Sequence, residues 1–145
     1  MKQLVFYFLP ILLLSGCKSR EEKPEADVSA LTGSWRHVAL YREDENGKLA
    51  WQDIDEESQR SLTFRSDGAL VDHNGKSLCC MPAVFYLNGK RFDTVFPEEA
   101  EAQPNCAYVL CGICEAFYLD YDGDELVISG CSPSGSKNRY VKEDI

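Results

Sequence analysis

The sequence has no excess of basic residues. Its 145 residues include 15 Lys and Arg against 24 Asp and Glu, so the net charge is −9. Nucleic-acid binding depends on clustered Lys and Arg that displace counterions from phosphate, and an anionic lipid surface attracts the same residue types. We therefore expect no nucleic-acid partner and no electrostatic attachment to anionic lipid.

The common catalytic and metal-binding motifs are also missing. The chain contains no Gly-x-Ser-x-Gly, Ser-x-x-Lys, His-Glu-x-x-His or phosphate-binding glycine loop. Its two histidines, His37 and His73, lie in strand-like segments without ligand spacing, which favours a structural or solvent-facing role. Asp120, Asp122 and Asp124 lack the later ligands of a calcium loop and are typical of an acidic turn. We therefore expect that the protein is not an enzyme and that it binds neither a metal ion nor a cofactor.

Long apolar runs are scarce as well. One run, residues 4–14, has eleven residues, whereas a membrane-spanning helix needs about 20. Lys2 precedes the run, and Leu14-Ser15-Gly16-Cys17 ends it. This arrangement resembles the signal peptide and lipobox of bacterial lipoproteins. The resemblance implies that residues 1–16 are removed and that Cys17 receives fatty acyl chains such as palmitate, which hold a protein at a membrane without a span.

The composition of residues 18–30 predicts a flexible tether between Cys17 and the folded domain. Residues 18–30 are mostly charged and contain one proline, so they bury too little apolar surface to offset the entropy of ordering. The predicted organisation is a signal peptide (1–16), a lipidated Cys17 with a flexible stalk (17–30) and one domain (31–145). Loss of Lys2 takes the net charge to −10. We expect attachment to the outer membrane of the cell envelope, with the domain in the periplasm or at the cell surface.

Six cysteines remain after Cys17: Cys79, Cys80, Cys106, Cys111, Cys114 and Cys131. Their number is even and the expected compartment is oxidising, which predicts three structural disulfides between the clusters at 79–80, 106–114 and 131. Fifteen connectivities are possible. Two alternatives stay open: a thiolate metal site, and a redox pair at Cys111 and Cys114, whose spacing matches Cys-x-x-Cys but which has no βαβ unit around it. Vicinal Cys79 and Cys80 would face opposite sides of a strand and bond different partners.

From residue 31 onward the apolar residues repeat with a period of two, which predicts strands. Asn46-Gly47, Asn74-Gly75 and Asn88-Gly89 are typical hairpin turns, and Asp122-Gly123-Asp124 is another turn. Only residues 97–102 are compatible with a helix. The predicted strand segments are 35–42, 49–51, 61–65, 69–73, 76–81, 83–87, 90–96, 107–111, 115–121, 125–129 and 139–142. The fold class expected is all-β, an antiparallel up-and-down meander that closes into a small barrel and so leaves no exposed edge.

A family resemblance follows from the first strand. Leu31-Thr32-Gly33-Ser34-Trp35 resembles the Gly-x-Trp opening of lipocalin-like domains in bacterial lipoproteins, and residues 62–68 and the 118–128 hairpin are similar to that group. The resemblance implies a barrel that the chain enters at Gly33 and whose closed end is plugged by Trp35. It also implies that Arg139 packs across the Trp35 ring. The Thr-Asp-Tyr motif of larger lipocalins is absent.

The resemblance and the composition favour a non-enzymatic binding or accessory module. Under the first hypothesis, the module captures a small apolar ligand inside the barrel. Sites for such ligands are lined largely by aromatic side chains. Candidate lining residues are Trp51, Phe85, Tyr86, Phe92, Tyr108, Phe117 and Tyr118. The alternative is that the barrel is filled by its own side chains. In that case the outer surface would bind an envelope protein, as an inhibitor or accessory subunit.

Overall fold

The described part of the chain is all-β, as predicted. The computed structural model describes residues 27–97, 104–112 and 114–144. The signal peptide, Cys17, most of the stalk and most of segment 97–102 lie outside these residues. Within them we find no α-helix, three short 3-10 turns (Val28–Leu31, Glu56–Ser58 and Pro104–Tyr108) and nine strands. The strands are β1 Gly33–Glu43, β2 Leu49–Asp53, β3 Ser61–Phe64, β4 Leu70–Asp72, β5 Val84–Leu87, β6 Lys90–Asp93, β7 Ala116–Asp122, β8 Glu125–Gly130 and β9 Lys137–Lys142.

Turn residues end the strands at three of the predicted places. Asn88 and Gly89 have φ of 46° and 80° and join β5 to β6. Gly123, with φ of 66°, joins β7 to β8, and Gly47, with φ of 75°, lies between β1 and β2. Because glycine and asparagine tolerate positive φ at little cost, these positions set where each hairpin reverses.

Two predicted strands do not form. Segment 76–81 makes only an isolated bridge between Ser77 and Val71. Residues 107–111 fall within the turn Pro104–Tyr108 and the irregular backbone after it. Both segments carry cysteines that are bonded to each other, so disulfides rather than sheet hydrogen bonds hold them.

The nine strands form one sheet in the order β4-β3-β1-β9-β8-β7-β5-β6, with β2 paired to the second half of β1. Neighbouring strands are antiparallel except β5 and β7, which run parallel with Val84 opposite Ala116. The predicted strictly antiparallel meander is therefore wrong. β6 already occupies one edge of β5, so β7 pairs with the other edge. Because β7 starts at the same end of the sheet as β5, the two strands run parallel.

The sheet curls strongly into a half barrel. The first and last strands, β1 and β9, pair near its centre, with a register shift between His37 and Ala39. Such a shift bends the strand and increases its twist. An isolated parallel bridge joins Ala69, just before β4, to Val95, just after β6. The two edge strands of the sheet thus approach each other at one point.

The concave face buries the core. Its largest fully buried side chains are Trp35, Phe64, Phe85, Leu31, Leu119 and Leu126. Alternation along the strands places them there: Leu62 and Phe64 in β3 and Leu126 and Ile128 in β8 all face inward. In β3 the buried residues follow the period-two pattern of the sequence.

The turn before β1 belongs to the domain. Leu31 is buried, and its carbonyl oxygen accepts a hydrogen bond of 2.7 Å from the Trp35 Nε1. Val28 packs against the core cluster. Residues 28–30, expected to be stalk, are therefore ordered, because Val28 and Leu31 supply apolar surface that the rest of the stalk lacks.

The strand directions define two ends of the half barrel. The Trp35 end holds the start of β1, the end of β9 and the turn Val28–Leu31. The cysteine end is opposite: Cys79 and Cys80 follow β4, Cys114 precedes β7 and Cys131 follows β8. β4 and β8 run in the same direction as β1, and β7 runs against them, so these cysteines meet at one end.

Candidate functional site

Three disulfides join the cysteine clusters. The bonds are Cys79–Cys106, Cys80–Cys111 and Cys114–Cys131, with Cα–Cα separations of 5.0, 5.3 and 4.7 Å. These separations lie in the usual range for disulfides. The predicted pairing between clusters is confirmed, as is the prediction that the vicinal cysteines take different partners. Cys79 and Cys80 lie in a turn, however, and not in a strand.

The redox alternative is not compatible with this pairing. Cys111 and Cys114 have the spacing of a redox couple, but each is bonded to a cysteine of another segment. All six sulfurs are used in the three bonds. In the part of the chain that the structure describes, no group of three or more His, Cys, Asp or Glu residues is arranged to hold a metal ion.

Two of the bridges clamp one short loop. Residues Cys106–Cys111, which we call the clamped loop, are bonded at both ends to the adjacent residues Cys79 and Cys80. The 3-10 turn Pro104–Tyr108 forms its first half, and the Val109 amide donates a 3.2 Å hydrogen bond to the Cys106 carbonyl. Cross-links at both ends restrict the conformations that the loop can adopt in the free protein.

The side chains of the clamped loop face solvent. Tyr108 is 89% exposed, Val109 45% and Leu110 100%, and the preceding Ala107 is also exposed. Single exposed apolar residues are common on protein surfaces and need no explanation. Four in succession on a covalently restrained loop form an apolar tip, and contiguous exposed apolar surface is characteristic of interaction sites. Sequence analysis missed this tip because it assigned the segment to a strand.

A cavity of about 340 Å³ lies at the side of the half barrel. Its lining comes from β1, β3 and the residue before it, the end of β4, the loop after β4, and β9. The lining residues are His37, Arg60, Ser61, Leu62, Asp72, His73, Leu78 and Tyr140. The two histidines, which the sequence separates by 36 positions, both line this cavity, because β3 pairs with β1 on one side and with β4 on the other. No local sequence signal indicated this meeting.

His37 is the unusual member of this lining. Its ring stacks on Tyr140 with centroids 4.7 Å apart, and its Nε2 is buried without a hydrogen-bond partner. Burial lowers the pKa of His37 below its ordinary 6.5, although hydrogen bonds to the Ala39 backbone and the Asn138 side chain act in the opposite direction. Burial also raises the pKa of Tyr140 to about 12. Both rings are therefore uncharged at neutral pH.

A second cavity, of about 380 Å³, lies beneath the disulfides. Met81, Phe117, Ile128 and Asn138 line it together with cysteines of all three bridges. Leu78 lines the first cavity and Met81 the second, and both side chains pack against the core. The segment held by Cys79 and Cys80 thus contributes to both cavities.

The predicted ligand-lining aromatics are not gathered around one cavity. Phe85 and Phe92 stack at 5.1 Å within the core, and Tyr86 and Tyr118 stack at 5.2 Å. Tyr108 is exposed, Trp51 packs against Tyr41, and Phe117 alone of the set lines the second cavity. Ring-to-ring packing across neighbouring strands explains most of these positions.

The predicted barrel-end residues are partly rearranged. Trp35 is fully buried, and Gly33 beside it has φ of 128°, a conformation that favours glycine. The cation over the Trp35 ring is Lys142, at 5.5 Å, and not Arg139. Arg139 lies 4.9 Å over Trp51 instead. The reason is register, since Trp35 pairs with Lys142 whereas Arg139 pairs with Ala39.

Comparison with known proteins gives no relative. No protein-family model matches the sequence, and neither the curated proteins nor the solved structures give a match. The helical segments in the described ranges are all too short or too polar to cross a bilayer.

Proposed function

We propose that this chain is a lipid-anchored, non-enzymatic binding module of the bacterial cell envelope that docks onto another protein through the clamped loop. The observation that carries the proposal is the full exposure of Leu110 between two disulfides. A loop that is already held in one conformation loses less entropy on binding, so its apolar contacts contribute more to affinity.

The character of the loop favours a protein over a lipid surface. Tyrosine is enriched in the energetically dominant parts of protein interfaces, and Tyr108 is available for such a contact. The net charge of −9 opposes approach to anionic lipid headgroups. The clamped loop also belongs to the cysteine end, whereas the chain enters the domain by Val28 at the Trp35 end. In this arrangement an anchor at Cys17 attaches to the end of the domain remote from the loop.

We further propose that the domain is a closed, lipocalin-like barrel. The bridge between Ala69 and Val95 supports closure, since it connects the two edges of the curled sheet. The buried Trp35 after Gly33 supports the lipocalin-like identity. The lipobox at residues 14–17 supports anchoring in the outer membrane, with the domain in the periplasm or on the cell surface.

Site-specific cross-linking in the native envelope tests the docking proposal. A photo-reactive residue at position 110 is expected to cross-link to one discrete protein, and replacing both Cys79 and Cys80 with serine should reduce that yield at least about tenfold because the loop loses its preorganisation. The matched control places the photo-reactive residue at Leu49, which is 54% exposed on β2. Equal cross-linking from positions 49 and 110, or none from 110, would contradict the proposal.

A second candidate function is capture of a small molecule. It is favoured by one specific observation, the cavity of about 340 Å³ whose lining includes Leu62, Leu78 and Tyr140.

A further inference from the structure

We propose that a small apolar patch at the Trp35 end of the domain contacts the lipid bilayer that holds the anchor, and so orients the domain. We call it the entry patch, and it consists of Val28, Val95 and Phe96. This inference rests on the proposed anchoring at Cys17 and does not depend on the clamped loop. Val95 is 39% exposed and Phe96 59%. Among the described residues, only the clamped loop offers another run of consecutive exposed large apolar side chains.

The entry patch lies at the turn between β3 and β4. Val28 and Val95 are both next to Gly68, where a Cβ would approach the Val95 Cγ2 to 3.6 Å and the Val28 Cγ2 to 3.7 Å. The bridge between Ala69 and Val95 holds the segment after β6 in this position, and Phe96 follows directly in the chain. The exposed apolar side chains are therefore beside the point at which the chain enters the domain.

The length of chain before the domain determines which surface of the domain lies near the bilayer. Residues 17–26 precede Asp27, and a fully extended chain of that length spans about 35 Å. An acylated Cys17 therefore keeps the entry patch within reach of the bilayer. Attachment makes the encounter intramolecular, so weak contacts are sufficient to select one orientation. With the entry patch on the bilayer, the clamped loop at the cysteine end faces away from it.

The small size of the entry patch favours lipid over a protein partner. Three side chains expose far less than the area of about 800 Å² that each partner buries in a stable protein interface. A bilayer has no such minimum area, because apolar side chains partition one by one into the boundary between headgroups and acyl chains. The entry patch thus fits a phospholipid surface to which the domain is already attached.

The charges beside the entry patch do not oppose this contact. Asp67 and Asp93 line the same cleft, and each carboxylate is paired with an arginine. The Asp67 Oδ2 lies 2.7 Å from the Arg65 Nη2, and the Asp93 Oδ1 lies 2.9 Å from the Arg91 Nη2. These four charges cancel, so a zwitterionic bilayer is sufficient. Both arginines are exposed, and such side chains lay their methylene groups on apolar surface while the guanidinium stays among polar headgroups.

Photo-cross-linking to lipid tests the entry patch. The mature chain, residues 17–145, is produced without acylation and oxidised, so that Cys17 carries its only free thiol. This thiol is coupled to a maleimide lipid in phosphatidylcholine vesicles. A diazirine-bearing phenylalanine at position 96 is compared with the same residue at position 49, because Leu49 is similarly exposed, at 54%. We expect about tenfold more phospholipid adducts from position 96, counted by mass spectrometry.

Two variants of the chain labelled at position 96 locate the contact. Val95→Ser removes apolar surface from the entry patch and should reduce the lipid adducts at least about threefold. Leu49→Ser is the matched control and should leave their yield unchanged. Equal lipid adducts from positions 96 and 49 would overturn the proposal, as would an unchanged yield in Val95→Ser. Adducts between two protein chains in place of lipid adducts from position 96 would also overturn it.

Chemical coupling separates this proposal from the anchoring on which it rests. Absence of palmitate labelling at Cys17 in cells would refute the anchoring, whatever the vesicles show. Absence of lipid adducts from position 96 in the coupled chain would refute the entry patch and leave the anchoring intact.

Discussion

The Nζ of Lys142 lies 5.5 Å from the centre of the Trp35 ring and 3.5 Å from the carbonyl oxygen of Ala30. One side chain therefore covers the buried tryptophan and also contacts the turn that precedes β1. The Gly33 Cα lies beside the same lysine, since a Cβ there would approach the Lys142 Cε to 3.4 Å. The Trp35 end of the domain is closed by the last strand as well as by the first.

Removal of the Lys142 charge should destabilise the domain modestly. Lys142→Met keeps an apolar stem and loses the contact with the ring, so the free energy of unfolding should fall by about 0.5–1 kcal/mol, as for an exposed cation over an aromatic face. Urea unfolding of the oxidised protein measures the change. Lys48→Met, on an exposed turn, is the control and should have no effect. A larger loss in the control than in Lys142→Met would refute the role assigned to Lys142.

The two disulfides of the clamped loop should act as a unit. Once one bridge is formed, the other closes a ring of only eight residues, namely 79–80 and 106–111. Chain-entropy estimates then give a loss of about 2.5 kcal/mol for either bridge alone and about 6 kcal/mol for both. Serine pairs at 79/106, at 80/111 and at all four positions test this by urea unfolding.

The bonding itself is checked by thiol counting. The denatured, non-reduced mature chain without its lipidated cysteine should show no free thiol, and peptide mapping should recover Cys114 joined to Cys131. Four free thiols accompanied by zinc or copper would instead establish a metal site. Two free thiols at Cys111 and Cys114 would revive a redox role.

Lipidation should depend on one cysteine. Cys17→Ala removes the sulfur that would accept the diacylglycerol, so we expect loss of palmitate labelling, loss of signal cleavage and release from membranes after opening of the cells. Ser19→Ala, two residues further on, should be processed and labelled normally. Acylation and membrane retention of the Cys17→Ala chain would disprove the lipoprotein assignment.

Stability should depend on pH through His37. The folded pKa of His37 lies below the ordinary 6.5, so well above pH 6.5 the residue is neutral in both the folded and unfolded chains. As the pH falls below 6.5, the unfolded chain binds the proton first, and the free energy of unfolding decreases until the folded pKa is passed. His37→Phe should remove this decrease, and His73→Gln should retain it. The pKa values of Asp27 and Asp44 are also lowered, but these carboxyl groups change the free energy of unfolding only below about pH 4. They therefore do not contribute in the pH range in which His37 titrates. An unchanged pH profile in His37→Phe would show that another group is responsible.

Local patterns in the sequence were sufficient for the strands and turns. Alternation along residues 61–65 predicted β3, and Asn88-Gly89 predicted a hairpin, in which both residues adopt the expected positive φ. These features depend on neighbouring residues, because side-chain direction in a strand and turn conformation are set within a few positions. The even number of the cysteines after Cys17, together with the oxidising compartment expected from the lipobox, was likewise enough to predict their oxidation.

Only the tertiary structure decided which distant residues meet. The partner of Cys79, the parallel pairing of β5 with β7 and the choice of Lys142 over Arg139 depend on register between segments far apart in the chain. A one-residue change of register turns a side chain to the other face of a sheet, and composition carries no information about such an offset. The sequence alone predicted strand positions for both histidines. His37 does lie in β1, but His73 lies in the turn after β4, and only the strand order β4-β3-β1-β9 placed both residues around one cavity with Tyr140.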